Sequence, residues 1–124
     1  MNVLIRIAPG FVILFITACT MQKVSYKVDI EPILNDKCIS CHTPPNGIGY
    51  KATGLKLFSY ESLMKGTMYG PVVLAGDSQR SIINMLVEGR AGKLQQIMHK
   101  EGKVLSAEEI MLLKGWVDQG ALHN

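Results

Sequence analysis

Cys38-Ile39-Ser40-Cys41-His42 is the stretch from which the rest of the chain is read. Two thiols three positions apart, followed at once by an imidazole, form the C-x-x-C-H pattern of covalent haem attachment. The spacing has a physical reason. Thiols this close reach the two vinyl groups along one porphyrin edge. The histidine after them is carried under the ring, where its imidazole binds iron. On this reading Cys38 and Cys41 hold one haem c through thioether bonds, and His42 is the proximal iron ligand. Three other chemistries compete. Zinc wants two further Cys or His ligands at similar spacing, and the other histidines are His99 and His123. A thioredoxin-like redox pair wants a βαβ context, and the sequence shows no alternating strand pattern. A structural disulfide leaves His42 unexplained.

Outward from the motif the pattern is helical. Asp29 is placed to cap a helix over Ile30–Lys37, with Glu31 and Pro32 in its first turn, where proline loses no hydrogen bond. After the motif, Pro44, Pro45, Gly47, Gly49 and Gly54 predict an irregular loop. Ser59 caps a short helix over Tyr60–Lys65, closed by Gly66. Asp77 is placed to cap a third, over about Ser78–Glu88, with Ile82, Ile83, Met85 and Leu86 at helical spacing. Residues 90–105 show no clear periodicity. Ser106-Ala107-Glu108-Glu109 is a capping box, and Ile110, Leu112, Leu113, Trp116 and Val117 form a wide apolar face ending at Gly120. No internal repeat or low-complexity tract appears in the 124 residues.

The N-terminus is of a different kind. Arg6 stands alone ahead of the apolar run Phe11–Ala18, which has the length of a signal-peptide core and is too short to span a bilayer. It ends Ile16-Thr17-Ala18-Cys19, which resembles the bacterial lipoprotein cleavage box. The resemblance implies a signal peptide over residues 1–18, acylation of Cys19, and insertion of its chains into membrane lipid. Several acyl chains hold a small protein on a bilayer where one does not. Residues 19–27 then read as the acylated cysteine and a short polar tether, and 28–124 as the folded domain. The destination is the periplasmic side of a bacterial membrane. The formal charge of +3 excludes a strongly cationic nucleic-acid surface. Three cysteines are too few for a disulfide scaffold.

Four pieces carry a family resemblance: Asp29-Ile30-Glu31-Pro32-Ile33-Leu34 leading into the C-x-x-C-H; Leu55 to Gly66; Gly76-Asp77-Ser78 before a helix; and Gly102-Lys103-Val104-Leu105-Ser106 running on to Trp116-Val117. Together, from Val28 to Ala121, they resemble a small monohaem cytochrome c domain of class I type. The resemblance implies an all-α fold, a bundle of about four helices around one covalently attached haem, with first and last helices crossing. It also implies single-electron transfer between redox partner proteins, with no enzymatic activity, no small-molecule substrate and no nucleic-acid partner.

An electron carrier needs a second axial ligand opposite His42, commonly a thioether sulfur. Met64, Met85 and Met111 fall in predicted helices, where methionine is usually core filler. Met68 lies between two glycines. Met98 lies in the irregular segment before the last helix, where the family places its ligand. Family members often carry Met-Pro there, and this chain has Met98-His99. Met98 is the expected distal ligand, with His99 or an open position as alternatives. An open position would suit a haem enzyme or gas-binding sensor, and a haem subunit of a larger respiratory complex is a further reading. Pro44 or Pro45 is placed to accept the other His42 ring N–H, and Arg80, Arg90, Tyr50 and Tyr69 are candidate propionate donors. Ile33, Leu34, Leu86, Ile110 and Leu113 are the expected pocket wall. His123 reads as solvated.

Overall fold

The computed structural model describes residues 22–93 and 104–124. The leader, Cys19, Met98 and His99, with the expectations placed on them, lie outside these residues. Within the described residues the fold is all-α, without strands. One π turn, Tyr26–Ile30, runs directly into α1, Glu31–Lys37; α2 is Ile48–Thr53, α3 Tyr60–Lys65, α4 Ile82–Val87 and α5 Ala107–Asp118. A bridge between Thr67 and Gly70 is isolated.

The first helical segment begins a turn earlier than Asp29. Ser25 is the cap: its hydroxyl accepts from Val28 N at 3.3 Å, and Asp29 Oδ2 accepts from Ser25 N at 2.7 Å. This is reciprocal capping spread over four residues instead of three, which the wider π turn accommodates. Val24 and Tyr26 are buried, so residues 24–27 belong to the packed domain and not to a tether. The drive is apolar: Tyr26, Ile30, Ile33 and Leu34 recur at helical spacing and are all buried.

Residues 44–54 are not wholly irregular. Gly47 precedes α2, and Gly54, at φ 74°, closes it in the left-handed conformation that glycine adopts without strain. Conversely, the helix expected over Ser78–Glu88 is shorter. Asp77 opens a turn, its Oδ1 accepting from Arg80 N at 3.0 Å. Its carbonyl accepts from Ser81 N at 3.1 Å, and α4 starts only after Ser81. Ser59 and Ser106 cap α3 and α5 as expected, each with a capping box completed by Ser62 and Glu109 respectively.

α5 packs on the π turn and on α4. Its Leu113, Trp116 and Val117 meet Tyr26, Ile30, Leu34, Leu57, Leu63 and Val73 in a single core. Each fully buried aliphatic contributes roughly 1.5–3 kcal/mol, so this cluster, not the surface ion pairs, holds the domain together. Residues 24–27 are clasped to residues 119–124 beside it. Lys27 N donates to Asn124 O at 3.1 Å, Tyr26 N to Asn124 Oδ1 at 2.9 Å, and Val24 N to Gln119 Oε1 at 2.9 Å.

Candidate haem-attachment site

α1 delivers the motif. Its Leu34 carbonyl is taken up by the motif itself: Cys38 N and Ile39 N both donate to Leu34 O at 2.9 Å. The chain then keeps turning, with Cys41 N on Cys38 O at 3.2 Å and His42 N on Ile39 O at 3.1 Å. Cys38 and Cys41 are therefore held one turn apart. Both are half-buried free thiols, and Cys38 packs against the core.

Cys38 does not have the electrostatics of a reactive thiol. Burial pushes the Cys38 thiol up to about 11, with the neighbouring Cys41 adding to the effect. Reactive cysteines are tuned in the opposite direction. Nor is there a zinc-like cluster: among the described residues no three His, Cys, Asp or Glu side chains converge as a metal-ligand set.

His42 is half-buried. Burial lowers its pKa, so the neutral, ligating form of the imidazole is favoured; the Leu55 backbone pulls the other way. That backbone does not make a well-formed hydrogen bond, because Nδ1 is shut away with no partner. The expected acceptance by the Pro44 or Pro45 carbonyl is not formed. The nearest backbone influence comes from Leu55, which follows α2, whereas Pro44 and Pro45 precede it.

α2 backs this histidine. A Cβ on Gly49 would stand 2.6 Å from His42 Cε1 and 2.6 Å from Nε2. A Cβ on Gly47 would stand 2.5 Å from Cys41 O. Tyr50 N, in α2, donates to Cys41 O at 3.0 Å, and Leu57 N donates to His42 O at 3.3 Å. The motif's carbonyls are thus pinned from the following segment, and the ring rests on a side-chain-free patch of helix. These features fit a haem: two unpaired thiols one turn apart, a neutral imidazole with one nitrogen sequestered, and a glycine cradle that sets the ring plane.

Several other candidates fall elsewhere. Arg80 is paired with Asp77. Arg90 is paired with Glu88 and donates to Gln79 O at 3.0 Å, so neither guanidinium is uncommitted. Tyr69 is exposed. Leu34 and Leu113 sit in the core, Ile33 is buried, and Leu86 and Ile110 are half-buried. Met64 packs against the core, but Met111, expected as filler, is exposed on α5. Trp116 lies 5.5 Å from the Tyr26 ring, and its indole donates to Leu122 O at 2.9 Å, placing it against the N-terminal turn. His123 is not simply solvated. It stacks on Tyr60 at 4.3 Å and 6°, with Glu61 Oε1 3.7 Å from its Nδ1. Tyr60 lies far back along the chain, and nothing in the local pattern around either residue signals the pairing.

No family model, curated protein or solved structure matches the chain.

Proposed function

We propose that this chain is a monohaem c-type cytochrome that passes single electrons between periplasmic or membrane-bound redox proteins, tethered to the bilayer through acylated Cys19. The observation that carries the reading is the Cys38-x-x-Cys41-His42 turn, with both thiols unpaired and the His42 ring seated against Gly49. Cys38 and Cys41 would hold the haem covalently, His42 would ligate its iron, and Met98 would complete the axial pair. A haem held there supplies a one-electron couple. The protein's own part is to fix the ligand. The Leu34, Cys41 and His42 carbonyls are tied to the main chain, Gly49 sets the ring, and burial favours the unprotonated imidazole.

The substitution of the family's Met-Pro by Met98-His99 favours a second reading, in which the distal position stays open and binds a diatomic ligand. The visible spectrum of the chain made with haem-attachment machinery tests both. A low-spin c-type spectrum unmoved by carbon monoxide supports the carrier, fast carbon monoxide binding supports the open site, and absence of covalent haem defeats both.

A further inference from the structure

A cleft of about 300 Å³ lies between α2 and α3, lined by Tyr50, Lys56, Ser62, Lys65, Thr67 and Met68 together with Gly54 and Gly66. We infer that this cleft is a binding site for a small oxyanion of the phosphate class, in a chain that carries its haem as proposed above.

Most of the polar groups lining the cleft are already committed. Ser62 Oγ donates to Ser59 O at 2.9 Å. Thr67 Oγ1 donates to Gly70 O at 3.0 Å and accepts from Tyr69 N at 3.0 Å. The main-chain N–H groups of Gly66, Thr67 and Met68 are bonded to Leu63 O, Gly70 O and Thr53 O. The lining side chains left to meet a ligand are donors: those of Lys56 and Lys65 and the Tyr50 hydroxyl. Lys56 Nζ stands 5.9 Å from the Tyr50 ring centroid, a cation–π contact that holds it over the cleft wall. Among the described residues no carboxylate lines the cleft. Glu61, on the helix that carries Lys65, is turned to His123 at 3.7 Å.

Two lysines and no carboxylate make the described lining of the cleft positive, and an anion placed there gains charge-assisted hydrogen bonds. The volume suits a small ligand: it holds on the order of ten waters, room for a tetrahedral oxyanion and part of its hydration shell. Such an anion comes from two sources, free phosphate or the phosphodiester of a lipid headgroup.

The test uses the full chain with its haem attached, in detergent at low ionic strength. Inorganic phosphate and dimethyl phosphate, the latter standing for a headgroup diester, are titrated while the amide resonances of Gly54, Gly66 and Thr67 are followed by NMR. Saturable shifts are expected for at least one of them. Lys56→Gln and Lys65→Gln are each expected to weaken binding about three- to tenfold, since partly exposed charges are worth little singly. Lys51→Gln, on α2 outside the cleft, is expected to leave it unchanged. Tighter binding of inorganic phosphate identifies a free oxyanion, and equal or tighter binding of dimethyl phosphate a lipid headgroup. Shifts that do not saturate, or that survive both cleft substitutions, overturn the site. So does binding seen only in haem-free protein, because it assigns the cleft to the cofactor's own carboxylates.

Discussion

Gly49 and His42 are built as a pair: the helix presents bare backbone where any side chain would enter the imidazole, 2.6 Å from Cε1 and Nε2. A glycine inside a helix is ordinarily a loss of roughly 0.5–1 kcal/mol against alanine. Here the loss makes room for the ring that the functional reading places on iron.

Gly49→Ala therefore sets two effects against each other. Helix propensity gains up to about 1 kcal/mol, and overpacking against the ring costs about 1–3 kcal/mol. The ring's own main chain is pinned, with Leu57 N on His42 O at 3.3 Å, so it does not step aside freely. The expected outcome is net destabilisation of about 1–2 kcal/mol together with a lower yield of haem-loaded protein. Denaturant unfolding and the haem-to-protein absorbance ratio check it. An alanine variant as stable and as fully loaded as the parent would show that the ring needs no glycine beneath it.

The thiols give a second prediction. With Cys38 pushed up to about 11 from an ordinary 9.0, its thiolate fraction near pH 8 is about a hundredfold below that of an unshifted thiol. In haem-free chain, peptide-resolved alkylation should find Cys38 slower than a free cysteine by at least about tenfold. Fast alkylation of Cys38 would restore the redox-pair reading.

Ser106 caps α5 with Glu109 in return: its hydroxyl accepts from Glu109 N at 3.2 Å, and Glu109 Oε2 accepts from Ser106 N at 2.7 Å. Ser106→Ala is expected to lower stability by about 1 kcal/mol, which for a domain of this size is roughly 4–8 °C in Tm. Calorimetry reads it directly.

That capping box is legible in the sequence alone, because four consecutive residues carry the whole signal. The same holds for Ser59 and Gly66 around α3 and for the C-x-x-C-H pattern. The features that local reading misses have a common cause. α2 is hidden because Gly47, Gly49 and Gly54 read as breakers. The absent side chains of Gly47 and Gly49 in fact serve contacts to Cys41, Thr43 and His42 that no local pattern encodes. The start of the first helical segment is hidden because Ser25 and Asp29 are four apart, not three, and because Tyr26 is buried by Tyr60 and Trp116 from far along the chain. Asp77 looks like a helix cap because it does cap a turn, one that stops short of α4. Standard motifs with fixed spacing are readable, whereas contacts that depend on a missing side chain, an unusual spacing or a distant partner are not.

Acid sensitivity follows from two carboxylates, the half-buried Asp77 and the exposed Glu61. The Arg80 side chain holds Asp77 below its ordinary 3.8, and its own backbone and then Ser59 hold Glu61 below 4.5. Depressed carboxylates stabilise the fold above their unfolded pKa values, and that contribution fades as pH falls through the folded ones. Urea midpoints should thus be flat above about pH 5 and decline below roughly 4.5. Arg80→Gln should make the decline shallower by freeing Asp77 from its partner. An unchanged acid slope in that variant would show that the pair does not couple to folding.

Haem attachment is tested most directly by the visible absorption spectrum of the full chain, produced with haem-attachment machinery and read oxidised, reduced, and reduced under carbon monoxide. The expected result is covalent haem that is lost in Cys38→Ala/Cys41→Ala, low-spin bands indifferent to carbon monoxide, and a Met–iron charge-transfer band that disappears in Met98→Ala. A chain that accepts no covalent haem under those conditions would contradict the assignment of Cys38, Cys41 and His42 to a haem.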